Sequence, residues 1–287
     1  MRRVLVTGGN GFIGRETFTP LRALGFDVDA PRRAELDLLN GDPAAYLAAN
    51  PATHLLHLAW EATPGKFWTA PSNLDWVAAS VRLVRAFAAA GGSRVVVAGS
   101  CAEYDWGYAT LDEVRTPLRP ATLYGTAKAS LCAVLSAAAP GLGVVLGWGR
   151  VFFPYGPSEA RGRLLPDVID GIAGGRRVAV SDGTQSRDFL HVEDVGAAFA
   201  ALLASPVEGA VNIASGTATP VRDFVALAAA QAGDATLLDW GARPRQRGEP
   251  EFMAAATTRL RDEVGFAPRW TLAAGLADAV SKRLEAR

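Results

Sequence analysis

The sequence predicts an α/β protein, a doubly wound parallel sheet with a smaller lobe behind it. Three observations carry this. Short apolar runs alternate with longer amphipathic ones as far as Arg150. The short runs are apolar throughout, not at every second residue, as strands covered on both faces require. A glycine-rich loop joins the first short run to the first long one.

The elements follow in order. Residues 4–7 read as the first strand and 12–24 as a helix, closed by Gly25, which takes a left-handed backbone at a helix end at little cost. The second strand is 26–30. An Ala-rich helix at 42–49 precedes a strand at 55–59, and a long helix at 77–90 stops at Gly91-Gly92. Residues 94–98 form a strand, 123–139 a helix and 143–147 the next strand. Beyond Arg150 the pattern changes. Tyr155-Gly156-Pro157 is a turn, Leu164–Ala173 a helix and Val178–Val180 a short strand. A helix at 194–203, a strand at 210–213 and a helix at Val221–Ala232 follow, and 241–250, rich in Arg, Pro and Gly, is a loop.

The bulk properties narrow the function. Of 287 residues 49% are apolar, ample for a core, and 29 basic residues balance 29 acidic ones. A neutral chain carries no footprint for nucleic acid or an anionic membrane, so an anionic ligand must be met by local arginines or helix N-termini. Two cysteines, Cys101 and Cys132, make neither a disulfide framework nor a zinc spacing, and no metal site is expected. The apolar run after Arg2-Arg3 breaks at Gly8-Gly9, too early for a signal peptide, and no run reaches the ~18 residues of a membrane span. A cytoplasmic protein is expected.

Gly8, Gly11 and Gly14, with Asn10, Phe12 and Ile13 between them, lie between the first strand and the first helix. The first glycine permits a tight turn, the second lets backbone approach a pyrophosphate at the helix N-terminus, and the third lets helix and strand pack closely. This predicts a dinucleotide site. Tyr124 and Lys128 share one face of a predicted helix at i, i+4 spacing, where the ammonium can stabilise a phenolate. Ser100 follows a strand at the carboxyl edge of the sheet, where its hydroxyl can hold a substrate oxygen beside Tyr124. These are the candidate catalytic residues. His54 and His57 are three apart on a strand and so face opposite ways, which opposes a metal site.

The glycine spacing together with Tyr124-x-x-x-Lys128 resembles the extended short-chain dehydrogenase/reductase family. So do His57-Leu58-Ala59, the segment from Arg150 to Tyr155-Gly156-Pro157, Arg187-Asp188-Phe189-Leu190-His191-Val192-Glu193-Asp194-Val195, Asn212-Ile213-Ala214-Ser215-Gly216 and Arg247-Gly248-Glu249-Pro250. The resemblance implies a Rossmann-like NAD(P)-binding domain at 1–155 plus 186–217, a substrate lobe at 156–185 plus 218–287, and a homodimer formed through helices such as 77–90 and 124–139. It implies that Arg32, Arg33, Asp37, Leu38, Leu58, Ala59, Val151, Tyr124 and Lys128 join the glycine loop around the cofactor. Trp60, Cys101, Glu103, Phe153, Arg187 and Arg247 are the candidate substrate contacts, the two arginines gripping a nucleotide diphosphate.

Sugar-nucleotide epimerases, dehydratases and ketoreductases carry this set. In the dehydratases an Asp-Glu pair follows the catalytic Ser or Thr; here Cys101-Ala102 follow Ser100, and Glu103 comes one position late. Phe153 stands where epimerases often carry Asn. The expected activity is therefore NADPH-dependent reduction of a keto group on a nucleotide-linked keto-(deoxy)sugar, with nucleotide-sugar epimerisation as the alternative. A non-catalytic NADP-binding sensor would need neither Tyr124 nor Lys128. NADP(H) is preferred over NAD(H) because Arg32 falls where NAD-binding chains place an acid. The competing acid, Asp29, lies inside the predicted strand.

Overall fold

A computed structural model describes residues 2–245 and 248–287. In chain order the elements are β1 (Arg2–Thr7), α1 (Phe18–Ala23), β2 (Phe26–Asp29), α2 (Pro43–Ala49), β3 (His54–His57), α3 (Ser72–Ala89), β4 (Arg94–Ser100), β5 (Thr110–Leu111) and α4 (Leu123–Leu142). There follow β6 (Val145–Val151), β7 (Phe153–Tyr155), α5 (Leu164–Ala173), β8 (Val178–Val180), β9 (Ser186–His191), α6 (Val192–Ala204) and β10 (Gly209–Ile213). The chain ends with β11 (Ala218–Pro220), α7 (Val221–Ala232), β12 (Leu238–Trp240), β13 (Phe252–Ala255), a π-helical turn Arg259–Glu263 and α8 (Leu272–Glu285).

Six strands form a parallel sheet in the order β10-β6-β4-β3-β1-β2. The chain runs outward from β1 to β2, then returns to the other side of β1 as β3. That reversal opens a crevice at the carboxyl ends of β1 and β3. Alternate residues of each strand feed opposite layers. Val4, Val6, Leu56 and Val96 face α6, while Leu5, Leu55, Val95 and Val97 face α3 and α4. Each such side chain contributes on the order of 1.5–3 kcal/mol by leaving water, so burial on both faces explains why the strands read as unbroken apolar runs.

The second layer packs Leu165, Val168 and Ile172 of α5, Phe224 and Ala228 of α7, and Leu276 and Val280 of α8 around Tyr155. A smaller sheet, β11-β9-β13-β5 with β7 on β9, joins it to the crevice.

Several boundaries depart from expectation. The first helix splits into a 3-10 turn, Gly14–Thr17, and the six-residue α1. Pro20 has no N–H to give the Glu16 carbonyl, so a regular helix cannot span that turn. The fourth helix runs on to Leu142 with Pro140 in its last turn, and ends where Gly143 turns left-handed at φ 66°. The next strand accordingly starts at Val145. Helix α3 begins at Ser72, before the predicted 77. Helix α8, in a stretch with no element predicted from the sequence, is an amphipathic helix capped by Thr271.

A buried polar tie fixes the crevice. His57, at the end of β3, lies between Thr7 Oγ1 (2.6 Å) and Ser80 Oγ (2.8 Å). Ser80 donates to the Trp76 carbonyl, so it accepts from His57 Nε2–H, and His57 Nδ1 accepts from Thr7. One neutral ring thus joins β1, β3 and α3. Burial, helped by the Lys128 charge, pulls its pKa down to about 3. A base with a depressed folded pKa costs stability once the unfolded chain can protonate. The tie is therefore intact above pH 6.5 and loses stability as pH falls toward 3, by about 2 kcal/mol between pH 6.5 and 5. Urea midpoints at pH 7 and 5 are expected to diverge more for wild type than for His57→Gln; equal divergence would remove His57 from this role.

Candidate active site

The glycine loop leaves β1 at the crevice. Gly8 has φ +73°, and a Cβ there would lie 2.7 Å from Ala59 N. A Cβ on Gly14 would lie 2.1 Å from the Gly8 carbonyl oxygen. Neither position accepts another residue, because backbone already fills the space. Gly11 N–H donates to Gly8 O at 2.9 Å and closes the turn. Among the described residues, the N–H groups of Asn10, Phe12 and Ile13 have no backbone acceptor. This cradle of free donors between close-packed glycines fits a dinucleotide pyrophosphate. Leu58 and Ala59 form its opposite wall.

Ser100 is the last residue of β4, paired in register with Val151 on β6. Its Oγ accepts from Ala102 N–H at 3.2 Å, starting a short 3-10 turn, Cys101–Glu103. Glu103 reaches back to accept from Ser100 N–H at 2.7 Å, a capping box that holds Ser100 rigidly. Tyr124 and Lys128 stand on the first turns of α4, which Thr122 caps by accepting from Gly125 N–H. Burial raises the Tyr124 phenol well above its usual range; the adjacent Ser100 hydroxyl opposes the rise. Lys128 Nζ donates to Ala98 O at 2.8 Å. Its own burial draws its pKa down to about 7 against the pull of Glu103. The structure thus brings the three candidate catalytic residues together.

Around them sits an aromatic wall. Tyr124 meets Phe67 at 5.0 Å, Trp68 at 5.8 Å and Trp60 at 6.3 Å between ring centroids, all edge to face. Tyr124 N–H donates to Trp68 O at 3.1 Å. Arg163, just before α5, donates to Ala62 O at 3.2 Å, and its guanidinium lies 5.6 Å from the Phe67 ring centre. Its charge opposes the rise in Tyr124. Nothing in sequence singles out Arg163, which lies far along the chain from residue 62. Trp60, a candidate substrate contact, turns a ring face to Lys128 Nζ, 3.7 Å from its centroid.

Two further substrate candidates are displaced. Glu103 is 0% exposed: it accepts from Arg150 Nε at 2.7 Å and from Trp148 Nε1 at 2.9 Å. A buried carboxylate held by a guanidinium, an indole and a backbone N–H is structural, and it has no open face for substrate. The Ser100-x-x-Glu103 spacing signalled this capping box in the sequence. Cys101 fills an apolar cluster with Tyr104, Leu111, Phe152 and Met253, and burial pushes its thiol up to about 12. Phe153 lies against Phe189 (6.1 Å) and under the Arg187 guanidinium (5.5 Å). Arg187 is 3% exposed and donates to Glu249 Oε1 at 2.6 Å. Arg247 lies outside the described residues.

At the far end of the crevice Arg32 and Arg33 are exposed beyond β2. Arg32 N–H donates to Glu35 at 2.6 Å, and Arg33 lies 3.6 Å from Asp37. Asp29 is engaged elsewhere: Tyr46 donates to it at 2.8 Å and Arg3 at 3.3 Å. Asp37 accepts from Leu39 N–H and from its own turn's Asn40, whose hydrogen bond lowers its pKa. Leu38 is buried in the α3 layer. Among the described residues no cluster of His, Cys, Asp or Glu is arranged to hold a metal, and no helix is long and apolar enough to cross a membrane.

Comparison with known proteins adds the family. Residues 4–214 match the NAD dependent epimerase/dehydratase family. The chain is 31% identical to dTDP-6-deoxy-L-talose 4-dehydrogenase (NAD(P)(+)) of Kitasatospora kifunensis, over 94% of this chain and 92% of that one. It is 34% identical to dTDP-glucose 4,6-dehydratase of Streptomyces griseus, over 64% of this chain and 55% of the relative. Among solved structures, MoeE5 in complex with UDP-glucuronic acid and NAD superposes with a TM-score of 0.84 at 29% identity, covering 99% of this chain and 100% of that one. The glycine cradle, the parallel sheet and the match across most of the chain agree: the chain belongs to the NAD dependent epimerase/dehydratase family, as an enzyme of the extended short-chain dehydrogenase/reductase type.

Proposed function

We propose that this enzyme reduces a keto group on a nucleotide-linked keto-(deoxy)sugar, using NADPH. The observation that carries the reading is the state of the residues after Ser100. Ala102 has no titratable group, burial makes the Cys101 thiol hold its proton at neutral pH, and Glu103 is locked to Arg150 and Trp148. An elimination needs an acid–base pair there, whereas a simple reduction needs one proton donor. The relative named as a 4-dehydrogenase matches over nearly the whole chain.

The bound nicotinamide supplies the hydride. Ser100 holds the substrate's keto oxygen through its hydroxyl. Tyr124, kept protonated by burial, gives its phenolic proton to that oxygen as the carbonyl becomes an alcohol. Lys128 places a positive charge beside the phenolate left behind. The aromatic wall keeps bulk water from the phenol. Arg187, which donates from Nη1 to the Ser186 carbonyl and from Nη2 to Glu249, grips the nucleotide diphosphate in exchange for Glu249. The lobes assigned from sequence close this crevice, and α3 and α4, which expose Leu74 and Val134, form the dimer face. Epimerisation on a retained cofactor uses the same residues; net consumption of NADPH distinguishes the two.

Arg32 and Arg33 favour NADP(H), since both are exposed beyond β2 while Asp29 is tied to Tyr46 and Arg3. Arg32→Asp is expected to weaken NADPH binding by about 10- to 100-fold with little change for NADH. Titration of both dinucleotides decides it, and tighter NADH binding by wild type would return the role to Asp29. Tyr124→Phe is expected to leave NADPH affinity near wild type and to cut turnover by about 10²–10⁴. A panel of nucleotide-linked keto-sugars followed by NADPH absorbance is the measurement, and undiminished turnover would end the assignment. For Arg187→Ala the Michaelis constant should rise roughly 10- to 100-fold while kcat changes by less than about threefold, because a remote grip acts equally in ground and transition states. Unchanged nucleoside diphosphate affinity would refute the grip.

A further inference from the structure

Lys128 is 3% exposed, and an ammonium so buried must replace its water shell. It has three N–H donors, and the Ala98 carbonyl accepts one of them. The other groups facing it are few. Tyr124 shares its helix. His57 on β3 is neutral, held between Thr7 and Ser80. Glu103, in the turn after β4, attracts it but is already paired with Arg150 on β6. What lies against the ammonium is an indole face: Nζ stands 3.7 Å from the centre of the Trp60 ring, well inside the ~6 Å reach of a cation–π contact.

The indole is fixed in that pose. Its Nε1 donates to Asn73 Oδ1 at 2.9 Å. The Asn73 amide in turn donates to the Phe67 and Ala70 carbonyls, each at 2.8 Å. Trp76 stacks beside Trp60 at 6.0 Å and 28°. The ring cannot swing away without leaving the Oδ1 of buried Asn73 without its donor. A leucine is apolar but smaller, and offers a cation no ring face.

We propose that Trp60 is a positioning residue for Lys128: its face holds the buried ammonium charged and aimed beside Tyr124. The proposal rests on the reading of Lys128 as the partner of Tyr124. Removing the ring face leaves burial to discharge the lysine at lower pH. The charge supporting the phenolate then disappears at a pH where wild type still has it.

The chain has three lysines, Lys66, Lys128 and Lys282, so the Lys128 side chain can be followed directly by NMR of protein labelled with [13C]lysine. The protonation midpoint of Lys128 is expected to fall by about one unit in Trp60→Leu and by less in Trp60→Phe, which keeps a weaker ring face. The alkaline fall in kcat/KM should move down with it, while thermal unfolding shows both variants folded. An unmoved midpoint in the folded variants overturns the proposal. So does an equal fall in Phe and Leu, which would mark lost packing. Should Lys128 shift as expected while no keto-sugar is turned over, the role of Trp60 stands and the proposed reaction fails.

Discussion

One carboxylate that never meets water organises this site. Glu103 receives the Ser100 N–H, the Trp148 indole and the Arg150 guanidinium. Each bond reaches a different strand position: the end of β4, the middle of β6, and its penultimate residue. Arg150 passes the connection on to Tyr104, and Tyr104 to Asn212 on β10, at 3.0 and 2.7 Å. The constraint reaches into composition as well. Gly99 must be glycine, because a Cβ there would lie 2.1 Å from Trp148 Nε1 and 2.5 Å from Glu103 Oε1. Removing one partner of such a buried pair leaves an uncompensated charge, at a cost of about 3–5 kcal/mol. The position of Ser100 therefore depends on a network that never touches the crevice.

The same carboxylate sets the electrostatics beside it. Burial pushes Tyr124 and Lys128 in opposite directions, the phenol toward holding its proton and the ammonium toward losing it. Both would end neutral, and a neutral pair has no means of stabilising a phenolate. Glu103 helps keep Lys128 charged but raises Tyr124 further, so it cannot supply the whole correction. A group acting on the lysine alone is needed. An indole quadrupole meets that requirement, since it attracts a cation and carries no net charge to disturb the phenol.

Much of this was legible in the sequence, for reasons that are local. Gly8 and Gly14 are read correctly because backbone sterics demand glycine wherever strand and loop approach so closely. Tyr124 and Lys128 are read from helical spacing, which α4 honours. The long apolar strands are read from two-sided burial. What failed depends on distant partners. Glu103 looked like a displaced acid facing substrate, yet its direction is set by Trp148 and Arg150, more than forty residues along the chain. Trp60 was a candidate substrate contact, and only the fold brings Lys128 beneath its ring. The second sheet escaped notice because β5, β7, β11 and β13 have two to four residues each, too few for a period to show.

A chain with no net charge must collect its anions with local groups, and on the proposed reading the crevice would do so in two styles. At one end Arg32 and Arg33 stand in solvent, where a guanidinium is mobile and screened by salt. At the other, Arg187 is buried, depressed by that burial and supported by Glu249. On the proposed reading the difference has a purpose. A dinucleotide is held mainly by backbone donors of the glycine loop, so exposed arginines need only tilt a preference between two cofactors. A nucleotide diphosphate would meet no second glycine cradle among the described residues, and the buried Arg187 guanidinium would carry much of its grip. Burial makes that grip strong, and the Glu249 pair keeps the guanidinium from being a lone buried charge before substrate arrives. On that reading a substrate phosphate would meet a cation already desolvated and oriented, and the guanidinium would exchange Glu249, rather than a shell of water, for it.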